Sequence, residues 1–131
     1  MGKEEIEFVV SGVSEGKGAR WNYPVIAETV EKKVKEAVEK NIDEARRVVA
    51  SVAKDRKVKL YLKKDLIQKI AERGKSGVLP SYDTQVYHIK EAIKRHLGLK
   101  VRKEGESVVI YLTASDIQRY LNEVEEVRKE E

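Results

Sequence analysis

Residues 81–112, S-Y-D-T-Q-V-Y-H-I-K-E-A-I-K-R-H-L-G-L-K-V-R-K-E-G-E-S-V-V-I-Y-L, decide how this chain is read. Ser81 belongs to the residue types that cap helix starts. From there Tyr82, Val86, Ile89, Ile93 and Leu97 fall on one stripe when each residue advances 100°. Gly98 is a suitable stop, so the spacing predicts a helix over 82–97. Beyond it, 99–103 and 107–112 read as two strands joined by the short Glu104-Gly105-Glu106 link, which predicts a β-hairpin.

Working outward, K-V-K-L-Y-L at 57–62 alternates, with Val58, Leu60 and Leu62 on one face. A short helix over 65–73 follows, with Gly74 as its expected C-terminal stop, and 74–80 is a turn. Upstream, Pro24 suits the first position of a helix, and Ile26, Val30, Val34, Ala37 and Val38 recur at helical spacing. Asn41 with Glu44 resembles a capping box and predicts a break or bend. Ile42, Ala45, Val48, Val49 and Val52 then continue the stripe to about residue 54. A strand at 5–10 and a glycine-containing loop over 12–23 precede this segment, and Thr113 with Asp116 caps a last helix. The chain is therefore expected to be α+β. Residues 25–131 would form one domain around a module at 57–112, and 1–24 an N-terminal strand and mobile loop.

Charge sets the module apart. Residues 57–112 carry 13 Lys and Arg against 6 Asp and Glu, whereas 1–56 are balanced at 11 each. Residues 113–131 are acidic, with 3 against 6. All the excess of the +4 net charge thus sits in one segment, the footprint of a module that meets a polyanion. No cysteine is present, which excludes disulfides, thiolate zinc sites and cysteine nucleophiles. No apolar run is long enough for a membrane span. Abundant Lys, Glu and Val beside three Asn, three Gln and one Met point to a hyperthermophilic, archaeal source. The expected compartment is the cytoplasm, or a host cytoplasm if the gene is viral or plasmid-borne.

The segments K-V-K-L-Y-L, D-L-I-Q-K-I-A-E-R-G, S-Y-D-T-Q-V-Y-H-I-K-E-A-I-K-R-H-L-G and L-K-V-R-K-E-G-E-S-V-V-I-Y-L, in that order, resemble the winged helix-turn-helix superfamily of DNA-binding domains. The resemblance lies in element order, with a long N-terminal helical segment before the module and a helix after it. It implies a protein that reads duplex DNA, in preference to RNA, with helix 82–97 and holds it with a basic wing at 99–112. By that likeness Thr84, Gln85, Tyr87 and His88 are base-reading candidates, with Lys94 and Arg95 beside them. Lys100, Arg102 and Lys103 are phosphate-holding candidates on the hairpin. Glu104 and Glu106 make the tip acidic, which favours a wing that tracks the backbone over one that inserts deeply. The implied role is a sequence-selective transcriptional regulator; the alternative is a chromatin-type or assembly protein using the fold for non-specific DNA or protein contacts.

Other signals are weaker. Lys17, Arg20 and Trp21 form a basic-aromatic cluster that reads either as a DNA arm or as a tryptophan anchoring the loop to the core. Residues 12–18 resemble a phosphate-binding loop but are one residue short between glycines and lack the Ser or Thr after Lys17. His88 and His96 are eight residues apart without a third ligand, so no metal or other cofactor is expected, and no catalytic constellation is visible. Ile117, Tyr120, Leu121 and Val124 line the last helix. That row either closes the subunit's own core or pairs with a second copy in a homodimer, the arrangement favoured from sequence.

Overall fold

The computed structural model describes residues 21–51 and 57–130. The strand expected at 5–10, the loop before Trp21, and the arm candidates Lys17 and Arg20 lie outside the described residues. Within them the chain is α+β, with helices α1 (Tyr23–Lys40), α2 (Ile42–Ala50), α3 (Lys64–Gly74), α4 (Tyr82–Ala92) and α5 (Ala114–Glu130). Strands β1 (Lys57–Leu62), β2 (Lys100–Glu104) and β3 (Ser107–Thr113) form an antiparallel sheet in the order β1-β3-β2. No helix of the described residues is long and apolar enough to cross a membrane.

Each strand alternates, and the register sorts its residues into two faces. Leu60 pairs with Ile110, and Val101 with Ile110 from the other side. These residues, with Leu62, Val108 and Leu112, face the helices and join the core built by Ile26, Ile67, Ile89 and Tyr120. The opposite face carries Lys57, Lys59 and Tyr61 on β1, Val109 and Tyr111 on β3, and Lys100 and Arg102 on β2. That side is the sheet's outward face.

The helix ends differ from expectation in instructive ways. The chain does break at Asn41, but its side-chain Nδ2 donates to Ala37 O at 2.8 Å. It thereby satisfies a carbonyl at the end of α1, and α2 has no side-chain cap hydrogen bond from it. The reciprocal cap at Thr113 and Asp116 forms as expected, with the Thr113 amide donating to Asp116 Oδ2 at 2.9 Å and the Asp116 amide to Thr113 Oγ1 at 3.1 Å. Gly74 ends α3 for a different reason from the one its position suggests. Its φ is not positive, unlike those of Gly77, Gly98 and Gly105. A Cβ there would lie 2.3 Å from Ile26 Cγ1, so the glycine lets α1 and α3 approach. The Asn22 amide also donates to Gly74 O at 2.7 Å.

Helix α4 does not run unbroken to Leu97. After Ala92 the backbone widens into a π-helical turn over Ile93–Leu97, and Gly98 closes it in the left-handed region at φ 64°. The apolar row of α5 settles into the subunit's own core: Ile117, Tyr120, Leu121 and Val124 are all buried. Of the two readings of that row, the fold uses them for closure, and a second copy would find them already covered. Val127, one turn on, stays 56% exposed.

Candidate functional site

The residues expected to read bases on α4 have different surroundings from one another. Tyr87 is 53% exposed, and Arg95 and Lys94 are exposed at the π-helical turn. Thr84 is half-buried in the first turn, where Ser81 Oγ accepts from its amide at 3.5 Å. Gln85 is buried, and its Nε2 donates to Pro80 O at 2.9 Å. Its amide therefore closes the turn between α3 and α4, and the residue cannot present a base-reading edge. Its Oε1 is buried with no hydrogen-bond partner.

His88 is held by the start of α1. Trp21 stacks on its ring with centroids 4.6 Å apart and planes 21° from parallel. Tyr23 Oη hydrogen-bonds His88 Nδ1 at 2.7 Å, the phenol donating where that nitrogen of a neutral ring carries no proton. Burial pushes the His88 pKa down, which favours that neutral ring. The cluster continues to His96, edge-on to Tyr23 at 6.4 Å, and to Arg95, whose guanidinium sits 5.4 Å from the Tyr23 ring centre. Trp21 is fixed in turn by a β-bridge to Lys75. Of its two sequence readings, packing anchor describes its contacts. Glu91 lies 3.1 Å from both Lys94 Nζ and Arg95 Nη2, and the Lys94 hydrogen bond leads the effects that lower its pKa. Much of the positive charge on the exposed face of α4 is thus matched by a carboxylate on the same helix.

The hairpin residues also divide. Lys103 bends over the turn, its Nζ donating to Gly105 O at 2.7 Å. The tip is folded against the module: Tyr82 Oη donates to Glu106 O, and Lys64 Nζ lies 3.6 Å from Glu106 Oε2. Lys100 and Arg102 instead stand on the sheet's outward face with Lys57 and Lys59. Together with Lys94 from the end of α4 and Tyr111, they line an open groove of about 470 Å³. Tyr111 Oη donates to Glu104, and that bond raises its pKa. Lys59 reaches the same carboxylate at 3.9 Å.

Lys100 and Arg102 are the wing candidates of the sequence, and the structure sets Lys57 and Lys59 of β1 on the same face. Their grouping was legible only through strand register, because β1 and β2 are about forty residues apart and meet through β3. No group of three or more His, Cys, Asp or Glu among the described residues is arranged to hold a metal ion. No protein family model matches the chain, and no curated protein or solved structure matches it significantly.

Proposed function

We propose that this is a DNA-binding protein of the winged-helix type, a sequence-selective regulator that reads duplex DNA with α4. The observation that carries the reading is an exposed helix end beside a groove lined by five cations, all within the segment that holds the chain's excess positive charge. Helix, strand, helix, turn, helix and hairpin follow in the order of that fold, and β3 lies between β1 and β2. A helix the width of α4 fits a major groove, where Tyr87, Thr84 and Arg95 are the side chains left to meet base edges. Lysines around it supply affinity through phosphates.

The test is selection of bound duplexes from a random pool, followed by titration of the winners at several salt concentrations. A preferred site, with affinity falling steeply as salt rises, supports the reading. Tyr87→Ala with Arg95→Ala should then weaken the preferred duplex more than a scrambled one. Salt-sensitive binding without preference would replace the regulator with a chromatin-type protein. No duplex binding at low salt would leave the assembly role.

A further inference from the structure

We propose that the outward face of the sheet is a sequence-blind seat for a DNA backbone, with Lys57, Lys59, Lys100 and Arg102 holding phosphates across Tyr111. The proposal rests on the duplex-binding reading above, and extends the phosphate contacts from the hairpin's first strand across the sheet. The register makes the arrangement explicit. Lys59, Tyr111 and Lys100 form one row across the three strands, and Tyr61, Val109 and Arg102 form the next. Neighbouring strands lie about 4.8 Å apart, and alternate residues on a strand about 6.8 Å. The four cationic heads therefore cover a patch on which successive phosphates of one strand can rest.

Three observations set this face apart from an ordinary solvated surface. The sole carboxylate at its outward positions is Glu104, at the rim, already engaged by Tyr111 and Lys59. Lys57, Lys100 and Arg102 have no salt bridge among the described residues. Val109 shares the face yet has 0% exposure, so its neighbours' side chains roof it over and the platform has a dry floor. Meanwhile the hairpin tip is tied down through Tyr82 and Lys64 and is acidic, which makes it a poor phosphate ligand. Lysines on edge strands also discourage strand pairing between molecules, and both β1 and β2 are edges. That explanation accounts for the charge without a ligand, so the experiment must separate the two.

The experiment compares the full chain with the triple variant Lys59→Gln, Lys100→Gln, Arg102→Gln and with a control of equal charge, Lys32→Gln, Lys40→Gln, Lys69→Gln. Each binds a random-sequence duplex across a salt series, with the folded state checked by circular dichroism. Each lost phosphate contact removes about 0.9 from the slope of log affinity against log salt, so the sheet triple should lose about 2 to 3 and the control none. The charge-keeping variant Lys59→Arg, Lys100→Arg, Arg102→Lys should keep the wild-type slope. An unchanged slope in the sheet triple overturns the seat while leaving duplex binding by α4 standing. Aggregation of the triple with an unchanged slope does the same and assigns the lysines to edge protection. Equal losses in the sheet and control triples, or loss in the charge-keeping variant, also overturn it. A wild-type chain that fails to bind duplex at low salt overturns the seat and the reading beneath it together.

Discussion

The helical flank made by α1, α2 and α5 and the outward face of the sheet are both rich in cations, but they treat them in opposite ways. On the flank Lys33, Lys35, Arg46 and Arg47 each meet a carboxylate. Lys35 Nζ meets Glu123 at 2.9 Å and Arg46 Nη2 meets Glu125 at 2.7 Å, stitching α1 and α2 to α5. Arg47 and Glu44 pair at 2.7 Å within α2. On the sheet face like charges stand together and one glutamate serves two partners. Side-by-side like charges oppose folding slightly. Where local stability and local composition disagree in this way, a functional demand is the usual cause.

The contrast can be broken at several strengths. Tyr120 is fully buried where the flank closes, so Tyr120→Ala should cost about 3–5 kcal/mol, the range for deleting a buried aromatic ring, seen in chemical denaturation. Tyr111→Ala on the sheet face should shift the denaturation midpoint far less; an equal shift would mean that face is built for stability after all. Gly74→Ala comes next, because the new Cβ must displace Ile26 where α1 meets α3, and overpacking of this kind costs about 1–3 kcal/mol. Breaking the Arg46 and Glu125 pair with Arg46→Gln should cost under about 1 kcal/mol, shrinking as salt is added. Lys100→Gln should be neutral, or mildly stabilising at low salt.

The smallest effect concerns pH. Burial holds the His88 pKa below its ordinary 6.5, so the unfolded chain takes up a proton that the fold resists. Stability from this group is complete above the unfolded pKa and declines as pH falls through the window beneath it. Thermal melting should therefore be lower at acid than at neutral pH, and His88→Gln should flatten part of that dependence. An NMR titration placing the His88 midpoint above 6.5 would contradict the account.

Much of this architecture was legible from residue spacing. The strands at 57–62 and 107–112, the stop at Gly98 and the reciprocal cap at Thr113 and Asp116 follow from local rules that involve neighbours in sequence. What spacing missed depends on neighbours in space. Gln85 lies about 80° from the centre of the apolar stripe of α4 in an angular count and passes for a surface residue. It is buried because the turn carrying Pro80 folds against it, which no helical wheel contains. Gly74 looked like a stop because its partner, Ile26, is far away in the chain. The site split for the same reason: Thr84, Gln85 and His88 share a helix but only some of them share a surface, while Lys57 and Arg102 share a surface from distant strands.

The π-helical turn at the end of α4 has a consequence that concerns length. In it Lys94, Arg95 and His96 are exposed in succession between buried Ile93 and half-buried Leu97. How those three are spread around the axis depends on how many residues fill the span between Ala92 and Gly98, as well as on which residues they are. A one-codon deletion there would let the helix rewind to its normal pitch and swing the three side chains around the axis, with Ala92 and Gly98 unmutated. A substitution scan would pass over such a position, and a deletion scan would find it.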